Sequence, residues 1–184
     1  MSVRKPMLLV FAGPNGSGKS TISQYVERIG EYTNADDIAS STGMELIEAA
    51  KFVDNKRYLA IKEKRDLTFE TVLSSDYKLD ILKKAKSEGY FIKCIFFLTV
   101  DPLINVARVE SRVALGGHDV PRDKIISRYG KSLAHIKDLI DICDILHVYD
   151  NSKQPVRIIR KHKDDITLYP NKLWKLDEII KLVQ

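Results

Sequence analysis

Short, unbroken apolar runs alternate along the chain with longer stretches in which apolar residues recur every three or four positions. Met7–Ala12 is continuously apolar and stops at Gly13, which fits a strand buried on both faces. From Lys19 to Ile29 the positions Ile22, Tyr25, Val26 and Ile29 follow a helical period, and Gly30 is read as the C-terminal cap. Tyr32–Ala35 predicts a second strand. Residues 42–64 carry a helical stripe through Leu46, Ile47, Ala50, Tyr58 and Leu59, which Asp54-Asn55 is expected to break in two. Leu67–Phe69 predicts a third strand, Tyr77–Glu88 a helix closed by Gly89, and the Ile/Phe-rich Phe91–Val100 a fourth strand. Pro102 opens a helix at its first turn, Gly116-Gly117 interrupts, Pro121 starts a helix that runs to about Ile142, and Ile145–Tyr149 predicts a fifth strand. Pro155–Arg160 and Ile166–Leu168 are spaced as a hairpin, and Trp174–Val183 as an amphipathic helix.

Strands separated by helices pair in parallel through crossover connections. The expected fold is an α/β three-layer sandwich, with a parallel five-stranded sheet between helical layers. The expectation is one domain over residues 1–184, with a helical lid over about 108–130 and a C-terminal extension over about 153–184. Open sheets of this class bind ligands beyond the carboxyl ends of their strands, so functional residues are sought there.

Composition narrows the picture. With 44% apolar and 30% charged residues, the chain is expected to fold around a core rather than remain disordered. No apolar run approaches the roughly 20 residues needed to span a bilayer, and the run after Arg4-Lys5 is too short for a signal peptide. Cys94 and Cys143 form no CxxC pair, so neither a zinc site nor a disulfide framework is expected, and a cytoplasmic location is. Net charge is +5; residues 153–184 hold eight Lys/Arg against four Asp/Glu, which leaves the body near +1. That body is not expected to bind nucleic acid generally, and the basic tail reads as a solvated surface.

The candidate chemistry begins at Gly13-Pro14-Asn15-Gly16-Ser17-Gly18-Lys19-Ser20, which matches G-x-x-x-x-G-K-[ST] at every fixed position, between a buried strand and a helix. The glycines let the loop curl with its amides inward around a polyphosphate. Lys19 places a point charge on the β- and γ-phosphates, and Ser20 offers a hydroxyl to Mg²⁺; Ser17 and Thr21 add hydroxyls nearby. No guanine-reading N-K-x-D follows a late strand, which excludes a GTPase: Asn171-Lys172-Leu173-Trp174 lacks the aspartate. Asp101-Pro102 reads as a cap and first helical residue rather than a metal-holding carboxylate.

Two carboxylates follow the second and third strands, both of which are expected to flank the P-loop strand. Asp36 is placed to accept the proton of an acceptor hydroxyl. Glu70, with Thr71 beside it, is placed to hold the acceptor, to hold Mg²⁺ through water, or to serve as a buried structural carboxylate. Asp37 is read as the N-cap of the following helix. Arg108 and Arg112 share a helix face, and Gly116-Gly117, His118, Arg122 and Arg128 follow. This order resembles the lid of nucleoside-monophosphate kinases. There an arginine ahead of the lid packs on adenine, a role that falls on Arg108, and others clamp the phosphoryl group in flight, as Arg112, Arg122 or Arg128 would. His118 either holds the lid or touches the acceptor.

Gly13–Thr21, Asn34-Ala35-Asp36, Phe69-Glu70-Thr71, the stretch from Arg108 through Gly116-Gly117-His118-Asp119-Val120-Pro121 to Arg128, and Asp150-Asn151-Ser152 together resemble the zeta-toxin-like P-loop kinases. The resemblance covers residues 7–152. It implies an adenylate-kinase-like sheet, ATP with Mg²⁺, transfer of the γ-phosphate to a small acceptor such as a UDP-N-acetyl-sugar, Asp36 as base, Glu70 as the substrate-holding glutamate, and an antitoxin protein as partner. Two other readings remain at this point: a polynucleotide 5′-hydroxyl kinase, supported by the basic tail alone, and a nucleotide-binding interaction module without turnover.

Overall fold

The computed structural model describes residues 4–184. Five strands run parallel in the order β2 (Glu31–Thr33), β3 (Leu67–Thr71), β1 (Met7–Ala12), β4 (Phe91–Leu98), β5 (Ile145–Asp150). The hairpin then joins them: β6 (Val156–His162) pairs antiparallel with β5, and β7 (Asp165–Leu168) with β6. The sheet therefore has seven strands rather than five, because the hairpin continues the ladder instead of standing apart from it.

The helices are α1 (Lys19–Ser23), α2 (Ala35–Thr42), α3 (Leu46–Lys62), α4 (Asp76–Ser87), α5 (Pro102–Ala114), α6 (Arg122–Ala134), α7 (Ile136–Ile142) and α8 (Leu176–Val183). The main core lies on one sheet face, where Leu8, Val10, Phe69, Phe96 and Val148 meet Ile61, Leu82, Leu139 and Ile179 from α3, α4, α7 and α8. A smaller cluster on the opposite face joins Leu9, Phe11, Ile95 and Phe97 to Ile22, Val26 and Ile29. Val106, Val109, Val120 and Ile125 pack α5 against α6.

Several local expectations change, and of the two strands expected beside the P-loop strand β1 only β3 adjoins it. The helix after the P-loop ends at Ser23, and the chain goes on in tight turns, with the Tyr25 and Val26 amides bonded to Ile22 and Ser23. Its apolar positions still face the sheet. Gly30 is not its cap; at φ +62 it leads into β2, where a Cβ would lie 2.0 Å from the Asp66 carbonyl oxygen. The segment after Pro121 is two helices, since the His135 amide reaches back only three residues, to Ser132.

Asp54-Asn55 does not break α3. Asp54 is 2% exposed and accepts from Arg57 Nη1 at 2.9 Å, one turn on, and from Lys78 Nζ of α4 at 2.6 Å. Arg57, equally buried, donates through Nε and Nη2 to the Thr33 hydroxyl and carbonyl, and its guanidinium lies 4.3 Å over the Phe69 ring. A pair buried this fully is costly to halve, so Asp54→Ala is expected to lower the unfolding free energy by about 3–5 kcal/mol. A urea midpoint unchanged from the parent would contradict it.

Candidate active site

At the carboxyl end of β1 the backbone itself forms the site. Gly13 has φ +135, and a Cβ there would sit 2.0 Å from the Phe97 carbonyl oxygen of β4; at Gly16, φ +75, it would meet the Asn105 carbonyl oxygen of α5 at 2.4 Å. Only glycine allows both the left-handed turn and the close approach. Asn105 Nδ2 donates to the Asn15 carbonyl at 2.6 Å, and Asn151 Nδ2, just past β5, to the Ser17 carbonyl at 2.8 Å. Pro14 lies in the same loop, and Ser17 Oγ is buried there with no hydrogen-bond partner.

Lys19 Nζ donates to the Gly13 carbonyl at 2.7 Å and the Pro14 carbonyl at 3.0 Å. Burial lowers its pKa to about 8, against the opposing pull of Glu70 and Asp36. A polyphosphate would favour the charged form and raise that value. Phosphate affinity should therefore be full below pH 8 and fall as pH rises above it, by up to tenfold per unit. Calorimetric titration with inorganic tripolyphosphate from pH 7 to pH 10 reads this directly; a flat profile would contradict it.

Glu70 is 8% exposed on β3 and accepts from Ser20 Oγ at 2.7 Å, Ser23 Oγ at 2.5 Å and the Tyr32 hydroxyl at 2.9 Å. Burial and this carboxylate push the Tyr32 hydroxyl far above its ordinary range, so it remains a donor. Glu70 thus sits directly on the hydroxyl expected to hold a cation. Among the described residues no group of three or more His, Cys, Asp or Glu is arranged to ligate a metal. The pair suits Mg²⁺, which keeps most of its ligands as water and phosphate oxygens.

Asp36 stands in the first turn of α2. The cap of that helix is Asn34, whose Oδ1 accepts from the Asp36 amide at 3.1 Å, so Asp37 is not the N-cap. The competing caps lie within four residues, and the extended φ/ψ falls at Asn34. Asp37 has its carboxyl raised, by burial first and then by Glu70 and Asp36. Thr71 Oγ1 accepts from the Leu73 amide at 3.0 Å and shapes the turn out of β3.

On the other side, Arg108 Nη2 donates to the Ser152 carbonyl at 3.1 Å and Arg112 Nη2 to the His118 carbonyl at 2.6 Å, while Arg128 Nη1 lies 3.4 Å from Asn15 Oδ1. One cavity of 810 Å³ is lined by Asn15, Gly16, Gly18, Lys19, Ser20 and Thr21, by Asp36, Glu70 and Thr71, and by all three of these arginines. The His118 and Arg122 side chains are not on its wall. Arg122 is 63% exposed, 3.9 Å from Glu110.

The sequence pattern did not single out Arg57, Lys78, Asn105 or Lys153, all at or against this cavity. The i, i+3 spacing of Asp54 and Arg57 was the one local signal available.

A family model described as Zeta toxin matches residues 31–173, a span that includes Asp36, Glu70 and the arginines and begins after the P-loop. The chain is 28% identical over 127 residues to an uncharacterised protein of Haemophilus influenzae, covering 66% of this chain and 91% of that one. Among solved structures, the PezAT chromosomal toxin–antitoxin system of Streptococcus pneumoniae matches at TM-score 0.60 and 14% identity, over 85% of this chain and 72% of that one. AvrRxo1-ORF1:-ORF2 with ATP matches at TM-score 0.72 and 14% identity, over 97% and 64%. At such identities the structural likenesses establish the fold.

Proposed function

We propose, since the chain belongs to the zeta toxin family, that it is an ATP-dependent kinase transferring the γ-phosphate to a hydroxyl of a small acceptor, with a UDP-N-acetyl-sugar as the first candidate. The observation that carries this reading is the single cavity that brings the P-loop, Asp36, Glu70 and three arginines together. A nucleotide-binding module without turnover has no use for a carboxylate on the wall that faces the phosphates.

The P-loop amides and Lys19 hold the triphosphate. Ser20, with Glu70 behind it through water, would hold Mg²⁺, which when bound neutralises charge between the β- and γ-phosphates. Asp36 orients the acceptor hydroxyl and takes its proton. The acceptor oxygen forms its bond to the γ-phosphorus while the bond to the β–γ bridging oxygen breaks and ADP leaves with the electron pair. Arg112 and Arg128 meet the charge that spreads over the transferring oxygens, and Arg108, which donates to the Ser152 carbonyl, would pack on the adenine. Gly116, at φ +84, gives the loop between α5 and α6 a hinge for lid closure.

Incubation with γ-labelled ATP and a panel of UDP-N-acetyl-sugars, free nucleotides and 5′-hydroxyl oligonucleotides tests the reading. Transfer to a small hydroxylated acceptor is expected; transfer to the oligonucleotide alone would overturn it. Arg128→Ala is expected to reduce turnover about 10²–10³-fold, and Arg122→Ala far less, because Arg122 points to solvent. Equal losses would contradict this lid geometry. A proteinaceous antitoxin is the proposed partner; the PezAT neighbour is described as a toxin–antitoxin system.

A further inference from the structure

One face of the sheet is covered over only part of its width. The register places Lys93, Ile95 and Phe97 of β4 beside Ile145, His147 and Tyr149 of β5, and these beside His162, Arg160 and Arg157 of β6. All nine point to the face opposite the main core. The apolar cluster there reaches Tyr149 and stops, whereas on the other face helices pack across to β6. The β4–β5 pair is parallel, and parallel sheets ordinarily have both faces covered, whereas the antiparallel β6–β7 edge can face water.

The charge on this open face is one-sided. Lys93, Arg157 and Arg160 take part in no ion pair or side-chain hydrogen bond among the described residues, and Arg157 Nε is buried without any partner. Some cations elsewhere are matched, among them Arg65 with Glu31 and Glu63, Lys84 with Glu88, and Lys86 with Asp144. The imidazole of His147, among these groups, is held down to about 4 by burial, then by Arg157, Lys93, Arg160 and His162. Tyr149 also faces it, and Asp165 of β7 stands across from His162.

We propose that this face docks an acidic amphipathic helix of a partner protein, which supplies the layer missing over β5 and β6. The dimensions agree: three strands span about 10 Å and β5 runs about 20 Å, against a helix about 10–12 Å across. Half-buried Ile145 and Tyr149 offer apolar contact at the centre, and the cations form the rim. A single-stranded nucleic acid fits less well. It needs open ring faces for stacking, and here Tyr149 stacks on Phe97 at 5.8 Å while Arg157 lies over Tyr169 at 5.3 Å.

The test uses the full chain and four probes: a synthetic Leu/Ala/Glu amphipathic peptide of about 18 residues, the same peptide with Lys for Glu, a single-stranded oligonucleotide, and phosphatidylserine vesicles. The acidic peptide is expected to bind, and the Lys peptide not. The Lys93→Glu/Arg160→Glu double variant should lose at least tenfold in affinity, while Lys83→Glu on α4 changes nothing. Bound peptide should also shift the His147 ring resonances, followed by NMR. If the Glu double variant melts early, Lys93→Gln/Arg160→Gln replaces it. Absence of peptide binding, unchanged affinity in the double variant, a stationary His147, or preference for oligonucleotide or vesicles would each overturn the proposal. Phosphotransfer by the double variant should remain at the parent level, which separates this surface from the catalytic reading.

Discussion

Lys19→Met is expected to lower phosphotransfer about 10³-fold or more while the protein stays folded. Methionine keeps the length and apolar stem of the side chain and removes only the ammonium. In the free protein that ammonium is satisfied by the Gly13 and Pro14 carbonyls. The loop does not depend on these bonds alone, because Asn105 and Asn151 hold it from outside at the Asn15 and Ser17 carbonyls. Charge on the transferring group and its bridging oxygen changes as the bond breaks, so the lysine acts more strongly on the transition state than on bound ATP. Turnover should therefore fall further than ATP affinity. Single-turnover rates beside calorimetric ATP titration would show it, and parent-level turnover in the variant would contradict the P-loop assignment.

The P-loop was legible because its constraints are consecutive. Each fixed glycine is demanded by a positive φ and a close neighbour, the Phe97 backbone at Gly13 and the Asn151 side chain at Gly18, and the pattern sits where an apolar strand ends. Asp36 and Glu70 were legible by a different route, since ligands of open sheets gather beyond strand ends. What holds them in place was not. Arg57 fastens the Thr33 backbone at the end of β2 under a helix that the sequence pattern divided at Asp54. An arginine at 2% exposure runs against composition, and its partners lie 24 residues and three residues before it. Asn105 escaped for the same reason: it reaches the P-loop across about half the chain, and no local period records it. The edge hairpin was visible as two strands, but its joining the sheet depends on β5 offering a free edge, which is a property of the assembled sheet.

Asp37 shows how local chemistry can be read one residue cluster too late. Asn34, Asp36 and Asp37 are all good caps by type. Backbone geometry gives the cap to Asn34 and puts both aspartates in the first turn of α2, where the helix dipole favours them. Asp36 is the one of the two on the cavity wall.

The central claim is that Asp36 is the base for phosphotransfer. Asp36→Asn keeps the shape and leaves the Asn34 cap intact, so the fold should survive with a cost of about 0.3–1 kcal/mol from the lost helix-terminal charge. A carboxylate repels ATP, so its neutralisation should leave nucleotide affinity the same or slightly tighter. The acceptor hydroxyl would lose the group that orients it and takes its proton, a contribution of about 10²–10⁴-fold. Calorimetric ATP titration of Asp36→Asn alongside transfer to the identified acceptor is the deciding measurement. The account predicts ATP affinity within a few-fold of the parent and transfer reduced by two orders of magnitude or more; transfer at the parent rate, or loss of ATP binding in step with transfer, would contradict it.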